Sequence, residues 1–264
     1  MRDHNKAFCR AVAENFDCPE PIYEFGSFQV EGQEGYADLR GFFPGKPYVG
    51  CDFRPGPGVD RVEDVSRLTL PNACAGTVLC IETLEHVFEI QRAFDEVFRI
   101  LKPGGLFIVT SPLNFGIHGY PDDYWRMTPS CLRRLLGGYG ARLCGWQGFA
   151  TFPHTVMAAA AKAPAPADFA ARAEAVRRLY GAWLENTQRK LPLGTKLRRG
   201  LARLYRSKGE RRRLADYYKA DLTVEIGTVP LATARDRTGA SLSSSPRRSR
   251  AHGREARSPA GSWS

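Results

Sequence analysis

The sequence has no long apolar run. Among its 264 residues there is no stretch of about 18 or more uncharged apolar residues, the length from which a membrane-spanning helix is read. Residues 1–16 also lack the continuous apolar centre of a secretory signal peptide. We therefore expect a soluble, cytoplasmic protein.

Paired cysteines are missing as well. The seven cysteines are an odd number, with no C-x-x-C pair and no Cys/His cluster at the spacing of a metal site. Most of them lie in or beside apolar segments, where a free cysteine behaves as a small hydrophobic residue. We expect reduced, structural cysteines and no metal ion.

Acidic residues are scarce in the last third of the chain. Residues 1–171 carry 16 basic and 20 acidic side chains, whereas residues 172–213 carry 14 and 3. Residues 235–264 are rich in Ser, Arg, Gly and Pro, a composition that buries too little apolar surface to fold. The division predicted from these shifts is a folded domain at 1–165, a basic helical extension at 166–226 and a disordered tail at 227–264.

The segment 76–112 has the pattern of a strand, a helix and a second strand. Residues 77–81 form an apolar run of about the length of a buried strand. From Ile90 the apolar residues recur at helical spacing, and Pro103 with the two glycines after it ends the helix. Residues 106–110 are mostly apolar again. Such a unit is a right-handed crossover in a parallel sheet, which predicts an α/β fold.

Further elements are predicted on both sides of this unit. Helices are predicted at 6–16, at 33–42 and at 130–136, the last of them capped by Thr128 and Pro129. Strands are predicted at 21–27, 48–52, 59–65, 141–150 and 155–163, with Pro153 in the turn before the last one.

Four successive predicted strands end on or near a carboxylate. These are Glu24, Asp52, Asp64 and Glu82. Ligands bind outside the carboxyl ends of the strands in an open parallel sheet, so these acids would line one crevice. The number of residues between Gly26 and Asp52 is close to the sequence spacing at which a strand-end acid binds the hydroxyl groups of a ribose. The alternative is that they are ordinary surface acids.

Together these features resemble the class I S-adenosylmethionine-dependent methyltransferases, in particular the type 11 group. The resemblance covers residues 20 to about 163. It rests on acid-x-Gly (Glu24, Gly26), strand-end Asp52, Asp64, LEH (84–86) and LKPGG (101–105). The loop HGYPDDYWRMTP (118–129) also resembles members of that group associated with sugar and polysaccharide modification.

The resemblance implies a Rossmann-like seven-stranded sheet, mostly parallel with the last strand antiparallel, and S-adenosyl-L-methionine as the cofactor. It places Glu24 and Gly26 beside the methionine part, Asp52 beside the ribose, Asp64 and Val65 beside the adenine, and Ile81 and Glu82 on the opposite side. Ser27 and Phe53 are predicted as further cofactor contacts.

The first loop departs from the family pattern. The family usually has G-x-G-x-G there, whereas Phe28 and Val30 follow Gly26 in this chain. A noncatalytic binding module that keeps the fold without the methyl donor is therefore an alternative to an enzyme.

Two segments supply candidate residues for the methyl acceptor. We predict His118 or Asp123 as the general base of an O-methylation, with His86 as a further catalytic candidate. The loop at 118–129 carries aromatic, acidic and basic side chains. Such a mixture suits a polar, ring-shaped acceptor, either a small molecule or a glycan. The predicted acceptor contacts are Tyr120, Tyr124, Trp125 and Arg126. The alternative is that His86 packs or caps a helix and that the last three of these fasten the loop.

The basic residues at 172–213 leave a further alternative open. A helix of this kind can bind nucleic acid or an anionic membrane surface, which would suit an RNA-directed methyltransferase. A solvated face packed by its leucines is the interpretation we favour.

Overall fold

The computed structural model describes residues 1–32, 34–119, 121–195, 197 and 218–227. Its helices are α1 (Asp3–Asn15), α2 (Ile90–Ile100), α3 (Pro129–Leu135) and α4 (Phe169–Arg189). Its strands are β1 (Ile22–Phe25), β2 (Tyr48–Asp52), β3 (Arg61–Val62), β4 (Ala75–Ile81), β5 (Leu101–Pro112), β6 (Ala141–Phe149), β7 (Phe152–Ala161) and β8 (Ala220–Ile226).

The eight strands form one sheet in the order β3-β2-β1-β4-β5-β7-β6-β8. The first five strands are parallel to one another. Strand β7 is antiparallel to both of its neighbours, and β8 pairs antiparallel with β6 at the edge. The chain moves outward from β1 to β3 and returns to β4 on the other side of β1. Ligand crevices of open α/β sheets lie at such reversals.

Two layers of helices cover the two faces of the sheet. Along β4, Leu79 and Ile81 pack into the core that contains α1 and α4. The alternate residues Val78 and Cys80 pack into the core that contains α2 and α3. Every residue of β4 is buried, which is why the strand reads as a continuous apolar run.

Helix α4 packs against α1 through an apolar face. The ring centroids of Phe169 and Phe16 lie 5.1 Å apart, and those of Tyr180 and Phe8 lie 5.8 Å apart. The rest of the basic segment, 198–213, lies outside the described residues. None of the described helices is long and apolar enough to cross a membrane.

The predicted α/β class is confirmed, and the sheet has one strand more than the seven predicted. Residues 220–226, predicted as part of the helical extension, form β8 instead. The pattern there alternates, and Leu222 and Val224 contact the same core as α4. Alternation of this kind is typical of a strand with one buried face.

Two predicted elements are much shorter than expected. In the region 33–42, the described residues contain a single 3₁₀ turn, Arg40–Phe42. Glycines at positive φ, such as Gly35 at +71°, favour turns over helix there. The strand predicted at 59–65 shrinks to β3, because the Glu63 carboxylate accepts hydrogen bonds from Thr69 and the chain turns away from the sheet edge.

The edge strand β8 is held by a buried ion pair. The side chain of Arg142 on β6 is 1% exposed, and its Nε donates to Glu225 Oε2 on β8 at 2.6 Å. Arg133 Nε lies 2.8 Å from the other carboxylate oxygen of Glu225. Removing the carboxylate would leave a buried guanidinium without its counter-charge.

We expect Glu225→Ala to lower the free energy of unfolding by about 3 kcal/mol, because it leaves one partner of a buried pair uncompensated. Urea denaturation measures the change. Asp221→Ala on the exposed side of the same strand is the matched control and should cost about 0.5 kcal/mol or less. Equal losses in the two variants would contradict this role of the pair.

Candidate active site

A cavity of about 820 Å³ lies at the carboxyl ends of β1, β2 and β4. Its volume is within the range of small-molecule and cofactor sites. Most of the predicted cofactor residues line it: Gly26, Asp52, Phe53, Asp64, Val65, Ile81 and Glu82. The other two, Glu24 and Ser27, are buried and do not line it.

Gly26 forms the tight exit from β1. Its φ is +87°, and a Cβ atom at this position would lie 2.2 Å from Thr83 Oγ1. The Thr83 hydroxyl in turn donates to the carbonyl oxygen of Phe25 at 3.0 Å. This hydrogen bond joins the loop after β4 to the end of β1. Glycine is needed here for both its dihedral angles and the close approach of Thr83.

The rest of the first loop forms an apolar wall. Phe28 and Val30 line the cavity at the positions where the family usually has glycines. The Arg54 guanidinium lies over the Phe28 ring, 4.2 Å from its centroid. A Cβ atom at Gly56 would come within 2.2 Å of that ring. The Phe28 ring is therefore packed closely against Arg54 and Gly56 in the cavity wall.

Asp52 presents a buried carboxylate at the end of β2. Its Oδ1 accepts a hydrogen bond from the backbone N–H of Arg54 at 3.2 Å. Burial raises the pKa of Asp52, and its interactions with Arg54 oppose that shift. Val65 and Ile81, 6% and 5% exposed, provide apolar surface nearby in the same cavity.

Glu82 follows β4 in a conformation that is uncommon for a residue other than glycine, with φ +55°. Its carboxylate accepts hydrogen bonds from Arg2 Nε at 2.9 Å and from Arg2 Nη2 at 2.8 Å. The same guanidinium lies 5.0 Å from the ring centroid of Phe115. Arg2 thus joins the cavity wall, a role that no local pattern in the sequence indicates.

The LEH turn carries a fully buried acid. Among the described residues, neither carboxylate oxygen of Glu85 has a hydrogen-bond partner, and its side chain is 0% exposed. Burial, followed by the nearby charge of Glu82, raises the pKa of Glu85 well above its usual range. The Glu85 carbonyl accepts hydrogen bonds from the N–H groups of Tyr124 at 2.8 Å and Trp125 at 3.2 Å. The predicted acceptor loop is therefore fastened to this turn.

His118 is held by a chain of charged groups. Arg126 donates to both oxygens of Asp123 at 2.5 Å, and Asp123 Oδ2 lies 3.2 Å from His118 Nδ1. The hydrogen bonds from Arg126 lower the pKa of Asp123 to about 2. The rings of His118 and His86 lie 4.8 Å apart between centroids, and both line the cavity.

The predicted acceptor residues divide into two groups. Tyr124 lines the cavity, whereas Asp123, Trp125 and Arg126 do not. Trp125 Nε1 donates to the carbonyl oxygen of Val87 at 2.9 Å, so its ring fastens the loop. Tyr120 lies outside the described residues.

Two aromatic side chains of the cavity were not among the predicted residues. Phe88 and Phe115 are 69% and 46% exposed, although both line the cavity. Each follows a motif that the sequence does show, the LEH turn and the end of β5. A large aromatic residue just beyond such a motif is the signal that could have identified them.

Residues 48–109 match the family model described as a methyltransferase domain. A curated relative, a probable S-adenosylmethionine-dependent methyltransferase from Mycolicibacterium smegmatis, is 37% identical over 57 residues. That match spans 21% of this chain and 22% of the relative's length. These matches confirm the predicted resemblance to S-adenosylmethionine-dependent methyltransferases, and they imply S-adenosylmethionine as the cofactor.

Solved methyltransferase structures are similar to this chain at low sequence identity. One from Thermotoga maritima, a possible histamine N-methyltransferase, is 17% identical with a TM-score of 0.43, covering 60% of this chain and 91% of that one. One from Archaeoglobus fulgidus is 14% identical with a TM-score of 0.45, covering 60% of this chain and 92% of that one.

The buried Glu24 makes stability depend on pH. Its carboxylate accepts a hydrogen bond from the Tyr48 hydroxyl at 2.6 Å, while burial raises its pKa from 4.5 to about 7. Between these two values the folded protein holds a proton that the unfolded chain has lost. The contribution of Glu24 to stability is therefore lost as the pH rises from about 4.5 through about 7.

Glu24→Gln cannot ionise and still accepts the Tyr48 hydrogen bond. We expect the variant to have the same free energy of unfolding as the wild type near pH 4.5. Near pH 8 its free energy of unfolding should be higher than that of the wild type by up to about 3 kcal/mol. Urea denaturation at the two pH values measures this. Glu14→Gln on the exposed side of α1 is the control. A Glu24→Gln effect that is independent of pH would show that burial does not perturb this carboxyl.

Proposed function

We propose that this chain, whose residues 48–109 carry the methyltransferase domain, transfers a methyl group from S-adenosylmethionine to a hydroxyl group of a small-molecule or glycan-type acceptor. The observation that carries this proposal is the division of one cavity into two chemically different ends. One end holds the residues assigned to the cofactor, and the other holds two imidazoles and exposed aromatic rings. Donor and acceptor would meet between them.

The donor end suits the cofactor. Asp52 offers two carboxylate oxygens to neighbouring hydroxyl groups, as a ribose requires. The apolar side chains of Val65 and Ile81 would contact the adenine ring, and Gly26 leaves the backbone open to close approach. A volume of about 820 Å³ leaves room for an acceptor beside the cofactor.

The acceptor end suits a polar ring. Phe88, Phe115 and Tyr124 line the cavity and are 69%, 46% and 44% exposed. Exposed aromatic surface that lines a cavity is typical of a ligand site. The His118 imidazole lies beside the Phe115 ring, and the His86 imidazole lies beside that of His118. Both imidazoles can form hydrogen bonds with acceptor hydroxyls.

Methyl transfer needs orientation and the removal of one proton. When bound, the cofactor supplies an electrophilic methyl group and a neutral sulfur leaving group. The chain holds the acceptor oxygen in line with that methyl group, which is the larger contribution to the rate. His118 Nδ1 lies against the Gly116 carbonyl at 3.1 Å and Asp123 at 3.2 Å, so Nε2 is the nitrogen left to take the hydroxyl proton.

Asp123 is better suited to positioning than to proton transfer. It does not line the cavity, and a carboxylate with a pKa of about 2 is a weak base. Of the two predicted bases, the geometry therefore favours His118, with Asp123 orienting its ring.

Calorimetric titration with S-adenosylhomocysteine tests the donor end of the cavity. We expect the wild type to bind and Asp52→Asn to bind at least about tenfold more weakly, because an amide accepts fewer hydrogen bonds than a carboxylate. Asp95→Asn on the exposed side of α2 is the matched control and should bind like the wild type. Absence of binding in the wild type would favour the noncatalytic module. The feature that supports this alternative is the first loop, in which Phe28 and Val30 stand where the family usually has glycines.

His118→Asn should lower turnover by about 100-fold or more and leave the affinity for S-adenosylhomocysteine unchanged. Release of S-adenosylhomocysteine with a panel of hydroxylated sugars and small alcohols measures turnover, with His154→Asn as the control. Asp123→Asn should also lower turnover, and Asp123→Glu should restore part of it because it returns a carboxylate. Full activity in His118→Asn would remove this residue from the reaction.

A further inference from the structure

Glu85, His86 and His118 come from two separate loops and meet beside the acceptor end of the cavity. A carboxylate oxygen and one nitrogen from each imidazole all lie within 4.8 Å of one another. Glu85 Oε1 is 3.9 Å from His86 Nε2. Two ligand atoms bound to one metal ion at about 2.1 Å are at most roughly 4.2 Å apart. A side-chain movement of less than about an ångström would therefore bring the three onto one ion.

The carboxylate of Glu85 needs a partner. It is fully buried, and neither of its oxygens has a hydrogen bond to any residue that the structure describes. Buried polar groups in native proteins are satisfied by protein, water or an ion, so an unsatisfied pair of oxygens calls for an explanation. The backbone carbonyl of Glu85 also accepts hydrogen bonds from the loop that carries His118, which fixes the position of this turn beside that loop.

Both imidazoles have the second contact that metal ligands require. His86 Nδ1 lies 2.6 Å from the carbonyl oxygen of Asp122. His118 Nδ1 lies against a carbonyl oxygen and the Asp123 carboxylate, which Arg126 keeps charged. A histidine that binds a metal almost always donates its other N–H to such an oxygen. In each ring this contact is made by Nδ1, so a bound metal ion would be coordinated by Nε2.

We propose that Glu85, His86 and His118 bind a divalent transition-metal ion. Two imidazoles and one carboxylate favour ions such as Zn²⁺, Fe²⁺ or Mn²⁺ over Ca²⁺ and Mg²⁺, which prefer oxygen ligands. Three protein ligands leave positions open, as in catalytic rather than structural sites. The sequence predicts no metal because its acid and histidines do not follow a local spacing; His118 is far along the chain from the LEH motif.

The role of the ion rests on the proposed function. A hydroxyl group of the acceptor that coordinates the ion loses its proton to water more readily. The oxygen electron pair then forms the new bond to the methyl carbon, and the electron pair of the broken carbon–sulfur bond stays on sulfur. A His118 Nε2 that coordinates the ion does not take up a proton, so in the metal-loaded protein the ion replaces His118 as the group that promotes loss of the hydroxyl proton.

Cobalt binding tests the site directly. Untagged protein of residues 1–264 is treated with EDTA, dialysed and titrated with CoCl₂. Calorimetry and the visible absorption of bound Co²⁺ measure the binding. We expect one ion per chain in the wild type and in His154→Asn, and at least tenfold weaker binding in Glu85→Gln, His86→Asn and His118→Asn. Equal binding in the wild type and Glu85→Gln, or none in the wild type, would overturn the site.

Two further measurements keep the outcome interpretable. Glu85→Gln preserves the shape of the buried side chain, so thermal unfolding of the metal-free variant should match the metal-free wild type and exclude misfolding as the cause. Titration of the same samples with S-adenosylhomocysteine separates the two proposals. Cofactor binding without cobalt binding overturns the metal site alone, whereas cobalt binding without cofactor binding supports the metal site and overturns the proposed function.

Discussion

The histidine-lined end of the cavity depends on one backbone carbonyl. The carbonyl oxygen of Glu85 accepts hydrogen bonds from the N–H groups of Tyr124 and Trp125, which dock the long loop after β5 onto the turn after β4. That docking brings His118 beside His86 and closes the cavity on this side. Without it, the two imidazoles would belong to separate loops, and neither proton transfer nor metal binding at a shared site would be feasible.

The end of the cavity that contains Asp52 and Ile81 follows from the arrangement of the sheet. Strands β1, β2 and β4 run parallel, so the residues that follow them meet at one edge. This part could be predicted from the sequence because its signals are local. An apolar run, a helical period and a strand-end acid each depend on a few consecutive residues, and Asp52, Ile81 and Glu82 line the cavity as expected.

The features that could not be predicted depend on contacts between distant residues. Arg2 reaches Glu82, 80 residues away, and Arg142 reaches Glu225 on an edge strand, 83 residues away. The proposal of His118 rather than Asp123 as the base also needed the structure, because it depends on the hydrogen bonds from Arg126 that lower the pKa of Asp123. The sequence shows that Phe28 and Val30 replace glycines. That the Arg54 guanidinium stacks on the Phe28 ring in the cavity wall could be seen only in the structure.

The central claim is that one cavity holds the methyl donor with its sulfur toward the pair of imidazoles. A crystal structure of the protein with S-adenosylhomocysteine bound tests this most directly. We expect the ribose hydroxyls to form hydrogen bonds with Asp52 and the sulfur to face His86 and His118. A ligand bound elsewhere, or one whose sulfur faces away from the two histidines, would contradict it.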